Sequence, residues 1–376
     1  MEQREQFLQD VRLGRMSMTD LCAHYQVSRK TGYKWIARGA EEGRRGLADR
    51  SRAPHHCPHK IAAEVATWLC ELRAKHDDWG ARKLLRVLRG RHPRHQDWPA
   101  PSTVCDLLSR EGLVRHRKTR RKRLAHPGGG AIHTEAPNDL WTADFKGEFH
   151  TDDGIYCYPL TIADLHARYL LACHGRYTTQ TVAAWPIFRW AFREYGLPRA
   201  IRTDNGVPFA TTSIHGLSKL NVWWMKLGIQ HQRITPATPS ENGAHERMHR
   251  TLKRRAIRPA RATLAAQQRA FNAFRTEYNE ERPHESLGME TPASVYTPSP
   301  RAYPERIPEP AYPGHFKVKA ITTGGTFRFG NRVLYLANAL TGERVGLDEV
   351  DDGIWHIYFT SVLIATLNER DYIIRE

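Results

Sequence analysis

The order of runs between residues 131 and 296 constrains this chain more than any other feature. LWTADFKGEF, CYPLTIADL and RYLLACHG read as three consecutive strands, and TTQTVAAWPIFRWAFREYG as a helix that Gly196 ends. PRAIRTDNG is a fourth strand that stops at Asn205-Gly206, and GIQHQRI is a short fifth. Helices follow at about 241–256 and 263–281. Strands interleaved with helices imply an α/β domain. Two carboxylates hold matching places in it: Asp144 in the first strand and Asp204 at the end of the fourth. Asp164 is expected at a strand end making local hydrogen bonds, Asp152 and Asp153 in a hairpin turn, and Trp141, Trp223 and Trp224 in the core.

The charge balance narrows the class of partner. Lys and Arg number 57 against 40 Asp and Glu, a formal net charge of +17, and the positive residues cluster. Basic charge displayed on one surface attracts a polyanion and releases its counterions, which points to nucleic acid. The six cysteines, Cys22, Cys57, Cys70, Cys105, Cys157 and Cys173, are scattered and contain no C-x-x-C. That spacing suits neither a disulfide framework nor a zinc ribbon and fits a reducing cytoplasm. The first residues, MEQREQFLQDVRLG, lack the apolar core of a signal peptide, and no apolar run approaches the length that spans a bilayer, so no membrane role is expected.

Ahead of the α/β segment lie two helical ones. Within residues 1–45, MTDLCAHYQVSRKTGYKWIARG reads as a short helix carrying Leu21 and Cys22, a turn at Gln26-Val27, and a second helix capped by Ser28. Arg29, Lys30 and Lys34 stud the second helix, so the pair is expected to be a helix-turn-helix with that helix in the major groove. Residues 46–59 form a linker; its His55, His56, Cys57 and His59 are too crowded in one loop to bind a metal. Residues 60–114 repeat the theme. Val65, Trp68, Leu69 and Leu72 make one core stripe, Ala81, Leu84, Leu85 and Leu88 another, and Ser102 is the expected cap of a third helix carrying Val104, Leu107 and Leu108. A basic linker follows at 115–130, where Arg117, Lys118, Arg120, Arg121, Lys122 and Arg123 are placed to track a phosphate backbone. After the α/β segment and a proline-rich joint, residues 315–376 alternate apolar and polar in FKVKAI, TFRFG, RVLYLA, GIWHIYF and SVLIATL. They imply a small SH3-like β-barrel that binds DNA or another subunit, or serves stability alone.

The chemistry turns on HERMH, residues His245 to His249. On a helix, H-E-x-x-H puts two imidazoles on one face to bind zinc, with the Glu as general base of a metallopeptidase. No third-ligand pattern follows, RTLKRR would set a strong positive field beside the metal, and a peptidase has no need of two helix-turn-helix units. The other reading takes Glu246 together with Asp144 and Asp204. The element order is consistent with a ribonuclease-H-like domain, in whose sheet the first and fourth strands are central neighbours. Asp144 and Asp204 then converge, and a helix packed against them brings Glu246. Three converging carboxylates offer hard oxygen ligands for Mg²⁺ or Mn²⁺. Two such ions about 3.5–4 Å apart can serve the attacking and leaving oxygens of an in-line phosphoryl displacement.

At these residues the chain resembles bacterial insertion-sequence transposases of the DDE (retroviral integrase) superfamily, and among them the insertion sequence 481 type. WTADFKG, RTDNGVPF, PATPSENGAHERMHRTLK and YNEERPHESLGMETPASVY carry the resemblance across the 131–296 core. Its P-x2-P-x3-G-x2-E register selects Glu246 over Glu241. The resemblance implies Asp144, Asp204 and Glu246 as catalytic and metal-holding residues, and a polynucleotidyl transferase with endonuclease activity. It also implies a homodimer or higher multimer on double-stranded DNA, both transposon terminal inverted repeats and target, within a bacterial cytoplasm at the nucleoid. Arg250 and Lys253 share the helical face of Glu246 and are placed to hold the DNA end. The chain departs from retroviral integrases in having no H-H-C-C zinc domain before the core and a longer Asp204–Glu246 interval. A non-catalytic DNA-binding regulator derived from a transposase is the alternative that an intact carboxylate set argues against.

Overall fold

A computed structural model of the chain describes residues 2–50, 61–114, 134–211, 216–234 and 243–376, which fall into two compact units, Met1–Ala62 and Ala63–Glu376. The first unit is helical: α1 (Glu2–Leu13), α2 (Met18–His24) and α3 (Arg29–Glu42). Ser17 caps α2 by accepting from the Asp20 N–H, and Ser28 caps α3 by accepting from the Thr31 N–H. Between them Gln26 takes a positive φ of 54°, which turns the chain sharply enough to set α3 across α2. The sequence reading omitted α1, whose apolar residues are few. It supplies Phe7, fully buried with Leu21 and Cys22, and edge-on to Tyr25 and Trp35 at 5.4 Å.

The second unit begins with α4 (Ala63–Lys75), α5 (Ala81–Arg91) and α6 (Pro101–Arg110). Their buried residues are the expected stripes, except that Trp68 is only partly covered, stacked on His92 at 3.7 Å. Ser102 is not the cap of α6. The N-cap is Ala100 and Pro101 takes the first helical position, where a missing N–H is no loss. The turn after α4 ties this segment to the chain beyond. Asp77 pairs with Arg254 at 2.6 Å, Asp78 with Arg282 at 2.8 Å, and His76 Nδ1 lies 3.1 Å from Glu277.

Next comes a mixed sheet built from β1 (Leu140–Phe145), β2 (Phe149–His150), β3 (Tyr156–Asp164), β4 (Leu170–Arg176), β5 (Ala200–Thr203) and β6 (Gln230–Arg233). Its long path runs β4-β3-β1-β5-β6, with β2 as a short extra partner of β3. β1 is antiparallel to β3 and parallel to β5, so β1 lies between the hairpin half and the crossover half. The helices α7 (Thr181–Tyr195) and α8 (Lys219–Lys226) cover one face through Phe188, Phe192, Trp223 and Trp224, packed on Trp141, Leu160, Ile162 and Ile201. Gly196 ends α7 at φ +76°, as expected. The helices α9 (Gly243–Leu252) and α10 (Leu264–Thr276), each extended by a wider turn to Ile257 and Glu281, cover the other face through Met248, Leu252, Phe271 and Phe274. Asp164 ends β3 and accepts from the Asn138 and Ala167 N–H groups at 2.7 and 2.6 Å.

After the short helix α11 (Pro292–Val295), the C-terminal strands are β7 (Lys317–Ala320), β8 (Thr326–Phe329), β9 (Arg332–Tyr335), β10 (Arg344–Asp351), β11 (Ile354–Phe359), β12 (Val362–Asn368) and β13 (Ile373–Arg375). They form a five-stranded antiparallel sheet in the order β13-β12-β11-β10-β7 and a separate β8–β9 hairpin. Among the described residues no pairing between β13 and β7 closes this sheet into a barrel. Two strands, β10 and β13, are additional to the five expected. Asp348, Glu349 and Asp351 in the second half of β10 break the apolar–polar alternation that marks the other strands. The sheet's core runs on to Leu217 and Val222, and Lys226 of α8 pairs with Glu343 at 2.9 Å, so the sheet seats on the core's outer helix.

Gly32 marks where α3 crosses its neighbours. A Cβ there would stand 2.8 Å from Cys22 Sγ and 2.9 Å from Phe7 Cζ. Gly32→Val is expected to destabilise the first unit by about 1–3 kcal/mol. Hydrogen exchange should accelerate in α1 to α3 and stay unchanged in the β1–β6 sheet; unaltered exchange in the helices would contradict this packing.

Candidate active site

The parallel register of β1 and β5 sets the site. Leu140 faces Ala200, Trp141 faces Ile201 and Thr142 faces Arg202. The same offset, carried on, brings Asp144 alongside Asp204 just past the end of β5. Gly206 lets the following turn fold back: its N–H donates to Asp204 Oδ1 at 3.1 Å, and a Cβ would crowd the same carboxylate. Asn205 Nδ2 donates to the Ile234 carbonyl at 3.0 Å and ties that turn to the end of β6. Glu246 lies in the first turn of α9 and is exposed.

The three carboxylates meet electrically at Asp144. Burial first, then the negative charges of Asp204 and Glu246, together push its carboxyl from an ordinary 3.8 up to about 7, against the pull of Lys146 and the Phe145 N–H. A half-buried acid pressed by two others is a site whose charge favours a cation. Its hard oxygen donors fit Mg²⁺ or Mn²⁺.

The histidines of HERMH point the other way from Glu246, into the interior between α9 and the sheet. His245 and His249 are 2% and 5% exposed. Thr142 Oγ1 lies 2.8 Å from His245 Nδ1, and Thr161 Oγ1 lies 2.7 Å from both His245 Nε2 and His249 Nε2. The remaining nitrogen, His249 Nδ1, is 3.6 Å from Asp144 Oδ2. Asp144, His245 and His249 each offer one ligand atom, all within 4.8 Å of one another. A zinc ion there would have to displace threonine hydroxyls, because both nitrogens of His245 are engaged. Burial lowers His245 to about 3 and His249 to about 2, so both rings are neutral at neutral pH.

Of the residues expected at DNA, Arg29, Lys30 and Lys34 are exposed along α3 beside an exposed Tyr33. Arg250 and Lys253 are exposed on the Glu246 side of α9 and line a cleft with Arg73, Arg254, Arg255 and Arg258. Arg254 and Arg255 are not solvated; they pair with Asp77 and Glu277. Arg117, Lys118, Arg120, Arg121, Lys122 and Arg123 lie outside the described residues, as do Glu241 and the prolines that precede it. The sequence reading missed Thr142, Lys146 and Thr161. Strand period carried the signal for Thr142, which shares the face of Asp144 on β1; Lys146 follows just past the end of β1, and Thr161 is the cross-strand partner of Asp144 on β3.

Two integrase core domain families match the chain, one over residues 134–239 and one over 227–292. A homeodomain-like family matches residues 31–108 and a helix-turn-helix family residues 3–55. An insertion element IS476 uncharacterized 39.2 kDa protein of Xanthomonas euvesicatoria is 28% identical over 258 residues, 66% of this chain and 69% of its own. An insertion element IS407 uncharacterized 31.7 kDa protein of Burkholderia multivorans is 28% identical over 242 residues, 61% of this chain and 79% of its own. Among solved structures, a chain of the simian T-cell lymphotropic virus intasome in complex with PP2A regulatory subunit B56 gamma shares 17% identity at a TM-score of 0.39, covering 78% of this chain and 97% of its own. The chain thus holds an integrase catalytic core, that of a DDE polynucleotidyl transferase. Helix-turn-helix matches stand alongside that core, and insertion-element proteins are among the chain's relatives.

The raised Asp144 pKa has a consequence for stability. The fold favours the protonated carboxyl, so its contribution is full below the unfolded value and is lost as pH rises from 3.8 through about 7. In metal-free protein, Asp144→Asn is therefore expected to stabilise the fold at about pH 8 by roughly 1–4 kcal/mol and to have little effect near pH 4. Denaturation with a chelator present measures this; equal gains at both values would refute the electrostatic account.

Proposed function

We propose that this chain is an insertion-element transposase that binds transposon ends and performs metal-dependent DNA cleavage and strand transfer by in-line phosphoryl displacement, with Asp144, Asp204 and Glu246 as its catalytic carboxylates. The observation that carries the reading is the β1–β5 register together with the charge of Glu246 felt at Asp144. Two Mg²⁺ or Mn²⁺ ions held by this trio would supply polarisation of the attacking and leaving oxygens. The chain's own part is to fix the three acids and hold the DNA beside them. Arg250 and Lys253, on the Glu246 side of α9, contact the backbone of the DNA end, and Lys146 borders the site at β1.

Sequence recognition falls to residues 1–45 and 60–114, with Arg29, Lys30 and Lys34 of α3 in the major groove. The basic stretch 115–130 spans phosphates between those segments and the core of residues 131–296. The C-terminal sheet within 315–376 serves DNA or another subunit. One carboxylate set per chain and two ends to be joined call for at least a homodimer on DNA. The WTADFKG and YNEERPHESLGMETPASVY motifs favour the insertion sequence 481 type and a bacterial cytoplasmic setting. Among the described residues no helix is long and apolar enough to cross a membrane.

The test is cleavage and strand transfer on labelled transposon-end DNA. Glu246→Gln, Asp144→Asn and Asp204→Asn should each lose roughly 10³-fold in both reactions while binding DNA nearly as well, and double variants should lose little more, since the acids act as one unit. Activity should need Mg²⁺ or Mn²⁺. Tight DNA binding with no cleavage by the wild type would instead mark a regulator. Stoichiometric zinc that His249→Ala removes would mark the zinc reading of HERMH.

A further inference from the structure

We infer that His249 is a positioning residue for Asp144, oriented by a hydrogen-bond relay that runs Thr142–His245–Thr161–His249. This rests on the reading of Asp144 as a catalytic carboxylate. Three hydrogen bonds at 2.8 Å, 2.7 Å and 2.7 Å run from Thr142 to His249, and His249 Nδ1 then faces Asp144 Oδ2 at 3.6 Å, just beyond hydrogen-bond length.

The donors in this line follow from its end. An ionised Asp144 only accepts, so the nitrogen facing it, His249 Nδ1, carries the hydrogen. In a neutral ring His249 Nε2 is then a bare acceptor, and the Thr161 hydroxyl donates to it. Having given its one hydrogen, Thr161 Oγ1 accepts from His245 Nε2–H. That leaves His245 Nδ1 to accept from the Thr142 hydroxyl. Every group uses one donor and one acceptor in the same direction. The competing acceptors of the two hydroxyls, the carbonyls of Asp144 and Ala163, lie farther off at 3.1 and 3.3 Å.

The relay spans three elements that must be aligned for the site to exist. Thr142 sits on the Asp144 strand, Thr161 is the β3 residue directly opposite Asp144, and both histidines flank Glu246 on α9. The line thus holds the side chain of Asp144 through His249, and fixes the rotation of the helix that carries Glu246. An aligned N–H toward a metal-binding carboxylate orients it, and loss of such a partner typically costs about 10–100-fold in metal affinity.

The full-length, metal-free protein tests the relay in two ways. At about pH 9, where Asp144 is ionised, nitrogen NMR of labelled histidines should find His249 as the Nδ1–H tautomer and His245 as the Nε2–H tautomer; the opposite pair overturns the proposal. Mn²⁺ affinity, measured by electron paramagnetic resonance, should fall about 10–100-fold in Thr161→Val and His249→Leu. Thr161→Ser should restore it, as should His249→Asn, whose amide nitrogen can stand where Nδ1 stands. His249→Gln, which mimics Nε2, should not. Equal affinity in Leu, Gln and Asn variants that unfold like the wild type would reduce His249 to packing and refute the relay. Asp144→Asn separates the layers. If it leaves Mn²⁺ bound, the catalytic reading of Asp144 fails first; if it abolishes binding while Thr161→Val binds normally, only the relay fails.

Discussion

The mutual repulsion of Asp144, Asp204 and Glu246 is the constraint on which the site is built. Carboxylates brought together in a half-buried place oppose one another, and the burden shows as the high pKa of Asp144. Such an arrangement persists only where the backbone gives the side chains no alternative. Parallel pairing of β1 and β5 supplies that rigidity, because the ladder fixes which residue stands beside which along both strands. The cores on the two faces of the sheet, built on Trp141 and Ile201 on one side and Met248 and Phe271 on the other, hold the ladder in place. A cation bound there would recover stability lost to the crowded charge, coupling the fold of the site to metal binding.

α9 resolves the conflict between a helix that must pack and a helix that must serve. Its inner face carries His245, Met248, His249 and Leu252, and its outer face carries Glu246, Arg250 and, just beyond its end, Lys253. The helix is braced from outside the sheet as well. Gln267 of α10 donates to the Ala256 carbonyl at 2.6 Å, and Arg254 and Arg255 reach Asp77 and Glu277. Asn279 grips the Leu170 backbone through both its amide atoms, at 2.8 and 3.0 Å. Part of the YNEERPH stretch is therefore bracing: Asn279 binds β4, and Arg282 pairs with Asp78 ahead of α5. The helical segment of residues 63–114 is joined by charge to the end of the core nearest α9, where Arg250 and Lys253 are exposed.

Elements with a local signal were legible in the sequence. Ser28 as a cap, Gly196 as a helix end, the stripes of α4 and α5 and the strands around Asp144 and Asp204 each follow from residues within a turn or two. What was not legible depends on partners distant in the chain. α1 has too few apolar residues to declare itself and is held by Phe7 meeting Tyr25 and Trp35. β10 carries little strand signal because Asp348, Glu349 and Asp351 break its alternation, yet β7 and β11 pair with it on both sides. Ser102 failed as a cap because Pro101 is the better first residue of a helix. The pairing of Arg254 and Arg255 was equally illegible, because Asp77 and Glu277 lie elsewhere in the chain.

HERMH shows where spacing stops being informative. Two histidines four apart on a helix share a face whatever that face meets. If it meets water or a cation, neutral imidazoles are ligands. Here it meets Thr142 and Thr161 of a buried sheet, whose hydroxyls engage both nitrogens of His245 and one of His249. A buried ring must have such partners, since an unpaired nitrogen in the interior costs about 1–3 kcal/mol. Under the proposed function the metal-binding role goes instead to Glu246, which the same helix turns outward. The pattern that suggests zinc is then a by-product of anchoring a carboxylate: His245 and His249 face inward so that Glu246 need not.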